Sequence, residues 1–387
     1  MIIKTIRNLQ EIETVRACWE AWQNHPNSDY EHFNLICRLR QDLVRPLVLS
    51  VECDGQPLAL LVARLERRRL APAIGYFKPI KISTKIITVL YQGMLGSMDK
   101  NIGEVLVEHV RTLLVTGDAD MVVFNNLSED SPLLQALAVH DSKWYYEKKP
   151  NLSVHWEMAI PEGRQFLQQK VRSKHRNWIR KKQSELESTF ASKISWRWIS
   201  VFQDISHLCA QLENVAVRTY QRSLGVGFKD DEEHRQRFAL FAKRGQLRVQ
   251  LLEIDGNVQA YWIGTIIRGV FYSSETGYNP DLRRYEVGTL VFIQMMEELI
   301  KERVQKFDFG LGDALYKQRF GDKSWREATV RLFAPTVKGL ALRSCLELFG
   351  KLDAFGRRLL QRADILERVK TGWRRRIALT GDKIENG

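Results

Sequence analysis

The hydrophobic positions of this chain switch repeatedly between strand-like alternation and helix-like spacing, and the order of the switches predicts an α/β fold. Residues 1–8 alternate as a strand. A helix follows over about 9–23, where Ile12, Val15, Trp19 and Trp22 recur at helical spacing, and a second helix over about 30–41 comes after the turn-rich HPNSD segment. Residues 47–65 are two apolar runs joined by Asp54-Gly55, the signature of a hairpin. Gly103 opens an amphipathic helix to Val115, and 121–124 reads as a short buried strand. The predicted order of this half is β-α-α-β-β-α-β.

After Pro150 a related order returns. A basic helix is predicted over about 164–187, with Leu167, Val171, Trp178, Ile179 and Leu186 on one side. A strand at 194–199 and helices at about 204–221 and 230–243 come next, the latter stopped by Gly245. A second Asp-Gly hairpin spans 247–267 and turns at Asp255-Gly256; a strand at 270–276, a helix from Gly288 and a short strand at 307–309 complete the series. Both hairpins carry E-x-D-G-x-x-x-A, at 52–59 and 253–260, which reads as a diverged internal duplication. The expected organisation is two α/β modules, 1–150 and 151–337, each a mixed sheet flanked by helices, and a basic amphipathic helical tail over 338–387.

Composition supports two cores: 387 residues exceed the size at which one core keeps growing, and 44% are hydrophobic. The net charge of +13 is clustered, with eight Lys/Arg and no acid in 164–182 and eleven Lys/Arg against four acids in 338–376. Clustered charge points to an anionic partner, or to the wet face of an amphipathic helix. Arg176, Trp178 and Arg180 fit a grip on an RNA backbone or an anionic saccharide, or that same wet face with Trp178 in the core. Trp373 followed by three arginines fits peripheral membrane contact as well as it fits a packed helix. The five cysteines show no ligand spacing, and the eight histidines form no close ligand pair. No G-x-S-x-G, H-E-x-x-H or Walker A string occurs. Without a leader-like segment or an apolar span of membrane length, a soluble cytoplasmic protein is expected.

The stretch 275–321 carries most of the candidate chemistry. Strand, helix N-terminus and strand in succession make backbone N–H groups converge on an anion such as a pyrophosphate. Its segments YNPDLRRYEVGTLVFIQMMEEL and FDFGLGDALYKQRFG resemble the GNAT-superfamily acyltransferase domain of CelD-type, cellulose-biosynthesis-associated proteins. The shared run D-F-x-x-G-x-x-x-Y-K is here Asp308, Phe309, Gly312, Tyr316 and Lys317. Upstream, RSKHRNWIRKKQSELE also resembles the S-K-x-R-x-x-I-R segment of Fem-type peptidyltransferases, which carry tandem GNAT modules.

The resemblance implies two GNAT-like modules and transfer of an acyl group to an amine or hydroxyl of a small molecule, sugar or cell-surface precursor. The implied donor is acetyl-CoA or another acyl-CoA, with no metal; in the Fem branch it is aminoacyl-tRNA. The family's pyrophosphate turn, Arg/Gln-x-x-Gly-x-Gly/Ala, falls on Arg283, Glu286 and Gly288, and a glutamate stands at its first glycine. Arg283, Arg284, Val287, Gly288 and Thr289 are the implied cofactor residues, and Tyr278 joins the acceptor side.

Transfer to an amine needs a base for the ammonium proton and an acid for the departing thiolate. Glu275, Asp308, Tyr316 and Lys317 are the candidates. Asp308, on an otherwise apolar strand, is either a working acid or an acceptor for backbone N–H groups. Lys317 either holds a phosphate or carboxylate, or pairs with Asp308 or Asp313. A non-catalytic adaptor in polysaccharide or envelope assembly is the reading that needs none of these roles.

Overall fold

The two Asp-Gly turns place residues in the left-handed region, Asp54 and Gly55 at φ 50° and 75°, Asp255 and Gly256 at φ 51° and 74°. Such turns match the twist of paired strands, so each fixes a hairpin one strand in from the edge of its sheet. The computed structural model describes residues 1–75, 77–139, 150–163, 166–219, 222 and 227–362, and these divide into two compact units.

In the first unit, 1–154 with 325–362, the strand order is β1 (Ile2–Ile6), β2 (Leu43–Cys53), β3 (Gln56–Leu70), β4 (Ile82–Gly96), β5 (Met121–Ser128) and β12 (Lys323–Phe333). Neighbours are antiparallel except β4 and β5, which pair in parallel over Ile86–Val89 and Met121–Phe124. Helices α1 (Leu9–Ile12), α2 (Arg16–Trp22) and α3 (Tyr30–Leu39) cover one face through Trp19, Tyr30 and Phe33. On the other face α4 (Lys100–Val115) and α5 (Pro132–Val139) bury Leu106, Val110 and Leu133.

The second unit begins at His155, and its strand order is β6 (Asn151–Ala159), β11 (Lys306–Leu311), β10 (Val270–Tyr278), β9 (Asn257–Ile267), β8 (Leu247–Ile254) and β7 (Ile194–Ile199). Only β10 and β11 are parallel among these neighbours. One face carries α6 (Phe166–Lys170), α7 (Ser173–Phe190), α10 (Val287–Lys301) and α11 (Leu315–Phe320) over an aromatic core. The opposite face carries α8 (Ile205–Ala216) and α9 (Glu232–Lys243).

Gly264 on β9 shows how tightly the aromatic face is filled. A Cβ there would come 2.2 Å from Phe271 Cζ and 2.6 Å from the Tyr272 carbonyl oxygen. Gly264→Ala is therefore expected to lower stability by about 1–3 kcal/mol in denaturant titrations.

The structure amends several sequence expectations. The helix expected over 9–23 is broken by a 3₁₀ turn at Glu13–Val15, where the Thr14 hydroxyl donates to the Glu11 carbonyl at 2.7 Å. The basic helix is two helices, because Arg172 is extended at φ −60°, ψ 149° and starts α7 afresh; its expected first residue, 164, lies outside the described residues. Three strands, β4, β6 and β12, join those expected. The second module was expected to run to 337, yet β12 pairs with β5 and places Ala328, Val330 and Leu332 in the first unit's core. The tail is helical as α12 (Val337–Arg362), and Trp373 with its arginines lies outside the described residues.

Candidate active site

The parallel contact of β10 and β11 lasts three residue pairs, Val270 with Lys306 to Tyr272 with Asp308. A bulge between Ser273 and Glu275 on β10 and another between Asp308 and Gly310 on β11 then bend the strands. From Ser273 onward β10 is paired only with β9, so its other edge faces a wedge. The chain next turns through Pro280–Tyr285, a 3₁₀ segment capped by the Asn279 side chain, into α10.

Glu286 is the N-cap of α10 at φ 56°, ψ 37°, with no side-chain capping bond. This is a left-handed conformation that glycine adopts without cost. Val287 and Gly288 open the helix, where amides have no preceding turn to bond to. Tyr278 lies over this corner, since a Cβ on Gly288 would come 3.3 Å from its Cδ1. Thr289 donates its amide to the Glu286 carbonyl at 2.9 Å. Arg283 is exposed and has no side-chain partner among the described residues. Arg284 instead folds back on Tyr285, with its guanidinium 4.6 Å from the ring centroid and a hydrogen bond to the hydroxyl.

Glu275 and Asp308 project to the α8/α9 face. Glu275 Oε1 accepts from Arg237 of α9 at 2.6 Å, with His234 Nε2 3.8 Å away. Its Oε2 is buried and has no hydrogen-bond partner among the described residues. Asp308 Oδ1 takes the Gly310 amide at 2.6 Å and pairs with buried His155 at 2.8 Å. Beside it, burial first and the Asp308 carboxylate second push the Tyr272 hydroxyl up to about 12, so it stays protonated.

Tyr316 belongs to the aromatic face, 5.6 Å from Trp262 and 6.0 Å from Phe309 between ring centroids. Trp262 in turn donates to Ser273 Oγ at 2.9 Å, tying the wedge edge to that core. Lys317 is 6% exposed. Its Nζ donates to the carbonyls of Phe309, Gly310 and Leu311 at 2.7, 3.2 and 2.6 Å. An ammonium has three donors, and all three are engaged on the end of β11. Burial pulls this amine down to about 8, against the opposing pull of Asp308. Lys317 thus fixes the loop containing Gly310 and Gly312, at φ 67° and 102°, rather than pairing with an acid.

The basic-helix residues are not one group. Arg176 Nη1 donates to the Val171 carbonyl at 2.5 Å and holds the α6–α7 joint. Trp178 packs on the core and stacks on His175 with centroids 5.0 Å apart. Arg180 is exposed and unpaired among the described residues. Arg237, His234 and His155 are the polar residues of the site absent from the sequence reading; no motif marks them, and only the fold brings them to Glu275 and Asp308.

Residues 173–318 match the acetyltransferase (GNAT) domain family. No curated protein sequence matches the chain. Among solved structures, FemX aligns with a TM-score of 0.58 at 10% identity, over 86% of this chain and 97% of that one. A tandem GNAT protein from the clavulanic acid biosynthesis pathway aligns with a TM-score of 0.51 at 13% identity, over 86% and 99%. The family match is thus confined to residues 173–318, within a chain whose fold is similar to those of FemX and a tandem GNAT protein.

Proposed function

We propose that the second unit transfers an acyl group from an acyl-coenzyme A thioester to an amine or hydroxyl. The observation that carries this reading is the early end of the β10/β11 pairing beside the first turn of α10. The wedge offers a strand edge to an extended donor, while the Val287 and Gly288 amides and the free Arg283 offer positive potential to its diphosphate. In the transfer to an amine, the acceptor nitrogen attacks the thioester carbon, the C–S bond breaks, and the thiolate leaves and takes a proton from solvent to become the free thiol. Glu275 takes the acceptor proton through its unpaired Oε2, while Arg237 holds Oε1. Asp308 and Lys317 act on the opposite strand as positioning groups for the wedge, and Tyr316 and Tyr278 as its aromatic lining. Sugars or cell-surface precursors, the acceptors suggested by the CelD-type resemblance, are the first to try.

A second reading, transfer from aminoacyl-tRNA, is favoured by Glu286. Its carboxylate has no partner among the described residues and stands at the N-cap, beside the first-turn amides that a diphosphate would use. Arg180, free on α7, would then meet the RNA, and binding would weaken steeply with salt and on Arg180→Glu.

The deciding assay follows thiol release from acetyl-CoA and longer thioesters with a panel of amines and sugars, run beside transfer from charged tRNA. Thiol release that depends on acceptor supports the first reading; transfer from charged tRNA alone replaces it. Glu286→Gly is expected to tighten acetyl-CoA binding about tenfold, by removing like charge from the helix N-terminus. Calorimetry checks this, and unchanged affinity places the diphosphate elsewhere.

A further inference from the structure

We propose that the exposed half of α12, together with the β3–β4 loop beside it, docks on an anionic lipid bilayer. This surface belongs to the first unit and is independent of the transfer reading.

Helix α12 carries two apolar stripes. Leu342 and Leu346 pack against Ile86, Met121 and Phe333. The second stripe, Leu348, Leu352, Phe355 and Leu359, is 54%, 41%, 61% and 49% exposed. Steps of four, three and four residues keep these side chains on one line of the helix. Four large apolar groups so aligned are a continuous face rather than scattered surface residues.

The β3–β4 loop adds a second apolar element to the same region. Ile74 and Phe77 exchange backbone hydrogen bonds at 3.0 and 3.1 Å, closing a tight turn, and Phe77 and Ile80 are 64% and 40% exposed. The Gly75 amide donates to Asp353 Oδ1 of α12 at 2.7 Å, which fixes the loop beside the helix.

The charge around both elements is predominantly positive. Lys78, Lys81, Lys351 and Arg358 are exposed, and none has an ion-pair partner among the described residues. Residues 67–98 contain no Asp or Glu. Of the neighbouring acids, Asp353 is taken by Gly75 and Glu347 by Arg343 at 2.8 Å. An apolar stripe flanked by unpaired cations matches the acyl boundary and headgroups of an anionic leaflet. A second copy of the chain would bring the same cations together and is disfavoured by their repulsion. Among the described residues no helix is long and apolar enough to cross a membrane, so the contact is one of lying on the surface.

The test is flotation of the full-length protein with vesicles of phosphatidylcholine alone and with vesicles that also contain phosphatidylglycerol. Binding to the anionic vesicles, weakened by salt, is expected. Phe355→Glu with Leu359→Glu is expected to weaken it at least about tenfold, and Phe77→Glu with Ile80→Glu to do so separately. The two variants lie on different elements, so misfolding of one leaves the other to decide. Absence of binding at low salt, equal binding to both vesicle types, or wild-type affinity in both variants overturns the proposal. So does a wild-type dimer that the α12 substitutions dissociate.

Discussion

Glu275→Gln is expected to lower the rate of acyl transfer to an amine about a hundredfold to ten-thousandfold, the range typical of losing a positioned proton acceptor. The substitution keeps the shape and leaves a carbonyl oxygen to accept from Arg237, now 2.6 Å from Oε1. It removes the charge and the unpaired Oε2 that would hold the acceptor proton. Steady-state kinetics should therefore show a fall in kcat with donor KM little changed. A variant retaining full kcat would move the proton acceptor away from Glu275. The cost in stability is expected to be small, about 1 kcal/mol, for exchanging a charge-assisted hydrogen bond for a neutral one.

Lys317→Met is expected to act on stability and turnover together, because the side chain fixes the loop that ends β11. Methionine fills much of the same volume and leaves the carbonyls of Phe309, Gly310 and Leu311 without their donor. About 2 kcal/mol of stability should be lost at neutral pH, after the relief of burying a charge is set against the unpaired carbonyls. The pH dependence separates this role from general damage. The amine titrates at about 8 in the folded protein against 10.5 ordinarily. Its folded value is depressed, so the stability it contributes is complete above the ordinary value and is lost as pH falls through the folded one. Wild type should accordingly gain on the variant by up to about 3 kcal/mol as pH rises between these values. Denaturant titrations of both proteins across that window measure the gain. A constant difference would mean that Lys317 is not a buried ammonium.

Much of the fold is legible because the hairpins are written locally. Asp54-Gly55 and Asp255-Gly256 are adjacent residues with one low-strain geometry, and each aligns two strands by itself. The glycine-marked start of α10 and the stop at Gly245 are local in the same way, whereas α4 starts at Lys100 behind its Asp99 cap, about one turn before the expected opening at Gly103. Strand β4 escaped because its central run, from Ile86 to Leu90, is apolar almost without interruption, as suits a strand covered on both faces. Strand β12 opens with the polar residues Lys323 and Ser324, and its apolar positions find their core only by pairing with β5.

The site divides along the same line. Gly288 and Glu286 are set by spacing within one turn, and the structure places both at the N-terminus of α10. The partnership of Glu275 with Arg237 spans 38 residues and two elements, and no periodicity encodes it. Nor does sequence show that Lys317 faces three carbonyls rather than an acid, since that depends on how the loop after Phe309 folds back.

The central claim is that the corner formed by Tyr278, Gly288 and the wedge holds an acyl-CoA donor. Calorimetric titration of acetyl-CoA into wild type and Gly288→Trp tests it most directly, because the indole would occupy the space in front of the first-turn amides and meet Tyr278, already 3.3 Å from an added Cβ. Binding by wild type that is lost in the variant is the predicted result. Equal binding by the two proteins, or none by wild type, would contradict it.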